Sequence, residues 1–254
     1  MDFSTVGEIW RRYKAAAVST ELHPNDMMYN AGKGFYYKVG ESGIDCVLAS
    51  LGRTDLTGVS RIMDLPCGHG RVGRHLRAAF PDAALFMCDI DKEGVDFCAQ
   101  AFNATPVYSE IELTKAELPK DLDLIWIGSL FTHLSRDTTA RWLSFLSSHL
   151  RQNGLLVATF HGYFTAFNGP FGGGGTDAEK IRRGFDAMGY GFDTYPSYPI
   201  EAGEYGFSLS KPSTILDMAD AIPGTRVVAY TERGWARNHD VLTLCRDDRL
   251  RPFA

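Results

Sequence analysis

The chain lacks long apolar runs and an excess of positive charge. None of its 254 residues falls in a run long enough to span a membrane, which takes about 20 consecutive apolar residues. Its formal net charge is −5, whereas binding to nucleic-acid phosphates requires a basic surface. We therefore expect no membrane and no nucleic-acid partner. The N-terminus is polar and has helical spacing, so we do not expect a signal peptide.

Cysteine is scarce and has no metal-binding spacing. None of the five cysteines forms a C-x-x-C pair, so the sequence predicts no zinc site, and we expect no metal. Several fall in predicted strands or helices, where a reduced cysteine behaves as a small apolar residue. This usage favours a cytoplasmic protein. Hydrophobic content of 44% and charged content of 22% are ordinary for a globular domain.

The central part of the chain alternates between strand-like and helix-like segments. Strands are predicted at 61–65, 84–88, 105–108, 122–127 and 154–160, and helices at 71–79, 92–102 and 137–150. Such alternation predicts a mostly parallel sheet with helices on both faces. A helix at about 212–221 precedes two further strand-like runs, 225–230 and 240–245. A short loop joins those runs, so they should form an antiparallel hairpin.

Two other regions do not follow this alternation. Residues 2–17 and about 42–51 have helical apolar spacing, so we expect residues 1–54 to be a helical cap before a main domain at 55–254. Residues 161–210 contain the four glycines 172–175 and many aromatics. So long an irregular segment predicts a lid or binding insertion. The alternative is a surface excursion whose aromatics pack on one another.

The most informative segment is Ile62-Met63-Asp64-Leu65-Pro66-Cys67-Gly68-His69-Gly70-Arg71. It predicts a strand that ends in an acid and then turns through two glycines into a helix. The acid, Asp64, would repel a pyrophosphate and would attract a cation. The run Gly68-His69-Gly70-Arg71-Val72-Gly73 is also a literal G-x-G-x-x-G, the dinucleotide fingerprint. In a dinucleotide site, however, the first glycine follows the strand almost at once.

This segment resembles motif I of the class I S-adenosylmethionine-dependent methyltransferases, although Pro66 stands where many members have a glycine. The resemblance implies S-adenosyl-L-methionine as cofactor and a Rossmann-like, seven-stranded α/β sheet that is mostly parallel and ends in an antiparallel hairpin. It also implies that a bulky side chain at Gly70 would obstruct the methionine, so Gly70→Val should abolish binding. The cofactor residues implied in this loop are Asp64, Pro66, Cys67, Gly68, His69, Gly70 and Arg71.

Further cofactor residues are expected at the ends of the next strands. Asp89 ends the second strand, where an acid can accept hydrogen bonds from both ribose hydroxyls. The alternative, a cap on the following helix, suits Asp91 better. The resemblance places adenine beside the third strand and the cofactor above the fourth. The residues concerned are Ile90, Ser109, Glu110, Gly128, Ser129 and Leu130.

Two histidines are candidates for the general base. His133 and His161 follow the fourth and fifth strands, at the ligand end of the sheet, and histidine titrates near neutral pH. His69 is expected to have a positional role. His239 and Asp240 are neighbours in a predicted strand, so their side chains should point to opposite faces and not form a dyad.

Three segments of the chain are similar to bacterial methyltransferases associated with glycan assembly. They are the loop 64–71, Ser129-Leu130-Phe131-Thr132-His133-Leu134 and Arg233-Gly234-Trp235. The chain has no Asn-Pro-Pro-Tyr or Asp-Pro-Pro-Tyr of the enzymes that methylate amino groups of bases. We therefore predict an O-methyltransferase for a small-molecule acceptor, a sugar or glycan hydroxyl or a natural product. The alternatives are an N-methyltransferase for a small amine, an NAD-dependent oxidoreductase, or a non-catalytic S-adenosylmethionine-binding protein.

Overall fold

The described residues of the computed structural model form a seven-stranded sheet and a separate two-stranded sheet. These residues are 3–54, 56, 58–169, 172–196 and 205–250. The strands are β1 (Arg61–Asp64), β2 (Ala84–Asp89), β3 (Thr105–Tyr108), β4 (Leu122–Ile127), β5 (Leu150–Phe160), β6 (Tyr190–Thr194), β7 (Gly206–Ser210), β8 (Thr225–Trp235) and β9 (His239–Arg246). The large sheet has the order β3-β2-β1-β4-β5-β9-β8, and β6 pairs with β7.

Strand direction separates the predicted fold from its dinucleotide-binding alternative. The pairs among β1 to β5 are parallel, whereas β9 runs antiparallel to both β5 and β8. The terminal hairpin is therefore confirmed, and so is the predicted fold class. A dinucleotide-binding domain would continue this sheet with parallel strands.

Helices cover both faces of the large sheet. They are α1 (Phe3–Ala15), α2 (Met27–Gly32), α3 (Tyr36–Leu51), α4 (Gly73–Ala79), α5 (Lys92–Ala101), α6 (Arg136–Ser147), α7 (Tyr163–Asn168), α8 (Ala178–Met188) and α9 (Pro212–Asp220). Leu124 and Trp126 of β4 belong to one apolar core, with residues of α3 and α4, and Ile125 and Ile127 belong to the other, with residues of α6 and α9. This alternation is that of a strand buried on both faces. Among the described residues we find no helix with the length and apolarity to cross a membrane.

The N-terminal region packs against the start of α4. The α3 helix begins at Tyr36, earlier than the predicted residue 42, because the Tyr36 side chain is buried there and its hydroxyl donates to Asp26 Oδ2 at 2.6 Å. Arg74, also buried, donates to the carbonyl oxygens of Ser19 and Glu21 at 2.9 and 2.8 Å. The segment between α1 and α2 is thereby held beside the loop that follows β1.

The prediction that residues 161–210 are irregular is wrong for the described part of that segment, which forms α7, α8 and the β6–β7 hairpin. Asp177 caps α8, and the hairpin and helices share a small apolar core that includes Ile181 and Phe185. Residues 178–188 therefore have helical apolar spacing, which the glycine-rich composition just before them led us to overlook. Residues 170–171 and 197–204, also in the predicted lid, lie outside the described residues, as does Asp2 of the first predicted helix.

The hairpin docks at the ends of β4 and β5. The backbone N–H groups of Gly206, Ser208 and Ser210 donate to the carbonyl oxygens of His133, Thr132 and His161 at 2.8 to 2.9 Å. These bonds bring a late part of the chain over the ligand end of the parallel sheet, where the loops after β1, β2, β4 and β5 meet.

Candidate active site

The strand β1 ends in a buried acid with an unsatisfied oxygen. Asp64 is 1% exposed, and its Oδ2 has no hydrogen-bond partner among the described residues. Burial, together with the nearby charge of Asp89, raises the pKa of Asp64 well above its ordinary value, although Arg71 and the nearby Gly73 N–H oppose the shift. No donor is well aligned with Oδ2, and the amino group of a ligand would supply one.

The two glycines of this loop have left-handed backbone conformations, with φ of +47° at Gly68 and +79° at Gly70. A Cβ at Gly70 would lie 2.2 Å from the Phe102 ring. We predicted that Gly70→Val would obstruct the methionine of the cofactor. That reason is wrong, because the added side chain would clash with the Phe102 ring in the core. Gly68, in contrast, lines the cleft beside Asp64.

The carboxylate of Asp89 fixes the shape of this loop. Its Oδ2 accepts from Gly68 N–H at 2.8 Å and its Oδ1 accepts from Asp91 N–H at 3.0 Å. The side chain is 8% exposed, and burial raises its pKa. Asp91 itself caps α5 by accepting from Gly94 N–H at 3.3 Å, as predicted. The predicted bonds of Asp89 to ribose would add to these backbone contacts.

The predicted cofactor residues line two adjoining cavities that share Pro66, Asp89 and Tyr205. The first holds the β1 loop together with Gly128 and Ser129, which follow β4; the second is largely apolar. Ser129 is fixed by its N–H, which donates to Thr159 Oγ1 at 2.8 Å. The first cavity is lined by Asp64, Cys67, Gly68, His69, Arg71, Gly128, Ser129 and His133 among others. The second is lined by Ile90, Ser109, Glu110, Leu130, Leu134 and Trp142 among others.

Of the cofactor residues predicted in the loop after β1, Gly70 alone is absent from both linings. Its positive φ and its contact with Phe102 give it the role of shaping the turn. Cys67 contributes its backbone as well, since its N–H donates to Cys88 O at 2.9 Å and ties the loop to β2. Burial raises the pKa of the Cys67 thiol, so a neutral thiol faces the cleft.

Sequence reasoning missed several residues of the first cavity. Asp26, Met28 and Tyr36 come from the N-terminal region, and Trp235 ends β8. The Arg71 guanidinium lies 5.4 Å from the centre of the Trp235 ring. The aromatic character of residues 20–40 was visible in the sequence, but tertiary contacts such as those of Arg74 bring this segment to the cleft.

The histidine side of the cleft consists of His133, His161 and His239. The rings of His133 and His161 are 6.5 Å apart, and those of His161 and His239 are 4.7 Å apart. His133 lines the same cavity as Asp64. His161 is not among the residues that line it, and its ring stacks on Phe207 at 4.7 Å.

Backbone carbonyl groups fix the orientation of both candidate bases. His133 Nδ1 lies 2.9 Å from Gly206 O, and His161 Nδ1 lies 3.2 Å from Ser208 O. A carbonyl oxygen only accepts, so each Nδ1 carries the proton and each Nε2 keeps its lone pair. Burial lowers the pKa of His133, and it lowers that of His161 to about 3.

His239 and Asp240 point to different surroundings, as their positions in one strand predicted. His239 Nδ1 lies 3.4 Å from Thr159 Oγ1. The two carboxylate oxygens of Asp240 accept from Tyr230 Oη at 2.8 Å and Arg233 N–H at 2.9 Å. The two residues therefore form neither a dyad nor a shared metal site.

Comparison with known proteins agrees with this geometry. Residues 63–156 match the methyltransferase domain family. Among solved structures, the chain is similar to an S-adenosylmethionine-dependent methyltransferase from Clostridium acetobutylicum, with 12% identity over 88% of this chain and 98% of that one and a TM-score of 0.58.

Two further solved structures have the same fold. An amino pentose methyltransferase from Micromonospora echinaspora with bound S-adenosylmethionine is 15% identical over 90% of this chain and 98% of that one, with a TM-score of 0.53. The magnesium protoporphyrin IX methyltransferase from Synechocystis is 14% identical over 96% and 92%, with a TM-score of 0.51. Comparison with curated protein sequences gives no match.

The sheet order, the unsatisfied acid at the end of β1 and the matched domain define a class I methyltransferase fold. Residues 63–156 of this fold are the part that matches the methyltransferase domain family.

Proposed function

We propose that the chain methylates a hydroxyl group of a small molecule, a sugar or glycan or a natural product, with His133 as general base. The observation that carries this proposal is the position of His133. It lines the same cavity as Asp64, its Nδ1 is held by Gly206 O, and its Nε2 is left as a proton acceptor. Removal of a proton matters for a hydroxyl nucleophile, which is weak at neutral pH.

Asp64 and Asp89 form the acidic side of the cleft, and they fit S-adenosylmethionine as the cofactor. Asp64 Oδ2 would accept from its amino group, and Asp89 would accept from its ribose hydroxyls. Arg71, in the same cavity, would face its carboxylate. The apolar second cavity would take the adenine beside Ile90, Ser109 and Leu130. When bound, the cofactor supplies an activated methyl group.

His133 would act on the acceptor and not on the cofactor. Because burial lowers its pKa, the imidazole is neutral at pH 7. His133 Nε2 would take the hydroxyl proton of the acceptor, while the cofactor would supply the methyl group by loss of its sulfur–methyl bond and leave as adenosylhomocysteine. The remaining task of the protein is to align the two reactants, which can contribute roughly 7–11 kcal/mol in favourable cases.

The surroundings of His133 support a ring-shaped acceptor. The rings of Tyr195 and Tyr205 lie 5.9 and 5.1 Å from the His133 ring. Aromatic faces can pack against the apolar face of a sugar or against another aromatic ring. We extend the lid proposal to the described part of 161–210, since the β6–β7 hairpin borders this space and the glycines at 172–175 would permit closure. The cap at 1–54 and the cytoplasmic location also remain proposals.

The test is a turnover screen that measures adenosylhomocysteine release with panels of sugars, phenols and amines. We expect turnover with a hydroxyl acceptor and a requirement for His133 with that acceptor. Turnover confined to amines, unchanged in His133→Ala, would replace this proposal with N-methylation. Tight adenosylhomocysteine binding without turnover of any panel would favour a non-catalytic binding protein.

A further inference from the structure

A second group of ligating side chains lies behind the β1 loop, away from the histidine side. It consists of His23 from the segment between α1 and α2, His69 from the loop after β1, and Glu93 from the first turn of α5. One ligand atom from each lies within 4.8 Å of the other two. This is the one such group of three among the described residues. His69 also lines the first cavity, whereas His23 and Glu93 have no part in the proposed methyl transfer.

His69 has an unused nitrogen that faces this group. Its Nε2 has no hydrogen-bond partner among the described residues, although its side chain is only 9% exposed. Asp91 Oδ2 lies 4.0 Å from that nitrogen. His23 Nε2 lies 3.7 Å from Glu93 Oε1. Two imidazoles thus meet two carboxylates with distances slightly too long for direct hydrogen bonds.

We propose that His23, His69 and Glu93 bind a divalent transition-metal ion, with Zn²⁺ as the preferred ion. Two imidazoles and one carboxylate are a ligand set of zinc sites, which leave a fourth position for water. The ligand atoms would close around the ion to about 2.0–2.2 Å, a movement within the reach of side-chain rotation. Coordination through His23 Nε2 would place its proton on Nδ1 and cost the 3.3 Å contact from Asn25 N–H.

The rings of His23 and His69 are close but not yet arranged for coordination. They stack with their centres 4.8 Å apart and their planes 20° apart, and Phe97 packs against His23 at 5.3 Å. Because an imidazole binds a metal in its ring plane, one of the two rings would have to turn on binding. An ion here would connect the N-terminal segment, through His23, to the loop after β1, through His69. The residue before His69 is Gly68, whose N–H donates to Asp89 Oδ2, so the ion would also stabilise that part of the loop. Zinc should consequently raise the melting temperature and strengthen adenosylhomocysteine binding.

The experiment uses the full chain without an affinity tag, freed of metal by dialysis against a chelator. Calorimetry with ZnCl₂ should show about one equivalent of bound zinc. The variants His23→Gln and Glu93→Gln should weaken that binding by at least about tenfold. The matched control Glu117→Gln, at an exposed glutamate far from the group in sequence, should not. Zinc should raise the melting temperature of wild type and control but not that of His23→Gln.

Two results would overturn the proposal. One is the absence of a stoichiometric binding event. The other is equal zinc binding in wild type, His23→Gln and Glu93→Gln, which would assign the ion to cysteine thiols such as Cys67 and Cys98. Circular dichroism of each variant separates loss of a ligand from loss of the fold. Neither result affects the proposed methyl transfer, because zinc binding is measured without an acceptor.

Discussion

The acidic side and the histidine side of the cleft use burial in opposite ways. On the acidic side, burial raises the pKa of Asp64 and leaves one of its oxygens without a donor. On the histidine side, burial lowers the pKa of His133 and His161, and backbone carbonyl groups satisfy their Nδ1 atoms. The acidic side is thus incomplete without a ligand, whereas the histidine side is already oriented. Cofactor affinity should depend on the first and turnover on the second.

The largest expected effect comes from breaking the histidine side. His133→Ala should lower kcat by roughly 10²–10⁴-fold, because the acceptor hydroxyl then loses its base. His161→Ala should have a smaller effect, since its pKa is lowered to about 3 and it does not line the cavity of Asp64. Steady-state kinetics on the acceptor found in the screen, with adenosylhomocysteine affinity as the integrity control, ranks the two. Equal losses in both variants would contradict the assignment of His133.

The next effect comes from the acidic side. Asp64→Asn should weaken adenosylhomocysteine binding by about 1.5–3 kcal/mol, or roughly 10- to 150-fold, the usual value of a hydrogen bond to a charged group. The ligand-free variant should melt at a higher temperature, because a carboxyl with a raised pKa costs stability above its ordinary pKa. Calorimetry and thermal melts measure both quantities. An unchanged affinity would show that the unsatisfied oxygen does not meet the cofactor.

Asp89 belongs to the same side but already has two backbone partners. Asp89→Ala should weaken adenosylhomocysteine binding by about 1–3 kcal/mol, through the ribose and through the loosened Gly68 N–H. Asp91→Ala is the matched control, since it removes a helix cap and leaves Asp89 in place. If the two variants bind adenosylhomocysteine equally well, the ribose contact assigned to Asp89 is wrong.

The smallest expected effect is a shift of the pH dependence of kcat towards lower pH. His133 acts in its neutral form, and burial lowers its pKa from the ordinary 6.5. The base therefore remains functional at pH 6.5, and kcat should decline only as the pH falls through the lower pKa of the folded state. A pH profile of kcat at saturating cofactor measures this acidic decline. The decline should be absent from the residual activity of His133→Ala. A decline centred above 6.5 would be inconsistent with His133 as the base.

The same contrast explains what the sequence could predict. The acidic side is built from residues at the ends of β1 and β2 and in the loop after β1, so local patterns were enough to predict Asp64, Asp89 and the glycines as cofactor residues. The mostly parallel sheet and the terminal hairpin followed from alternation and loop length, but the order of the strands did not. The histidine side depends on bonds between His133 and Gly206, 73 positions apart. No local spacing encodes that contact, and the pairing of β6 with β7 was hidden by the glycine-rich composition before it.

The bond between His133 and the β7 strand also has an evolutionary consequence. His133 Nδ1 has two partners, the main-chain oxygen of Gly206 at 2.9 Å and the hydroxyl of Tyr195 at 3.2 Å. The main-chain oxygen can only accept, so it alone suffices to keep the proton on Nδ1. Gly206 itself has no room to vary, because a Cβ there would lie 1.9 Å from Asp193 O. Substitutions of the surrounding aromatic residues can therefore change which acceptor fits, while His133 Nε2 remains the proton acceptor.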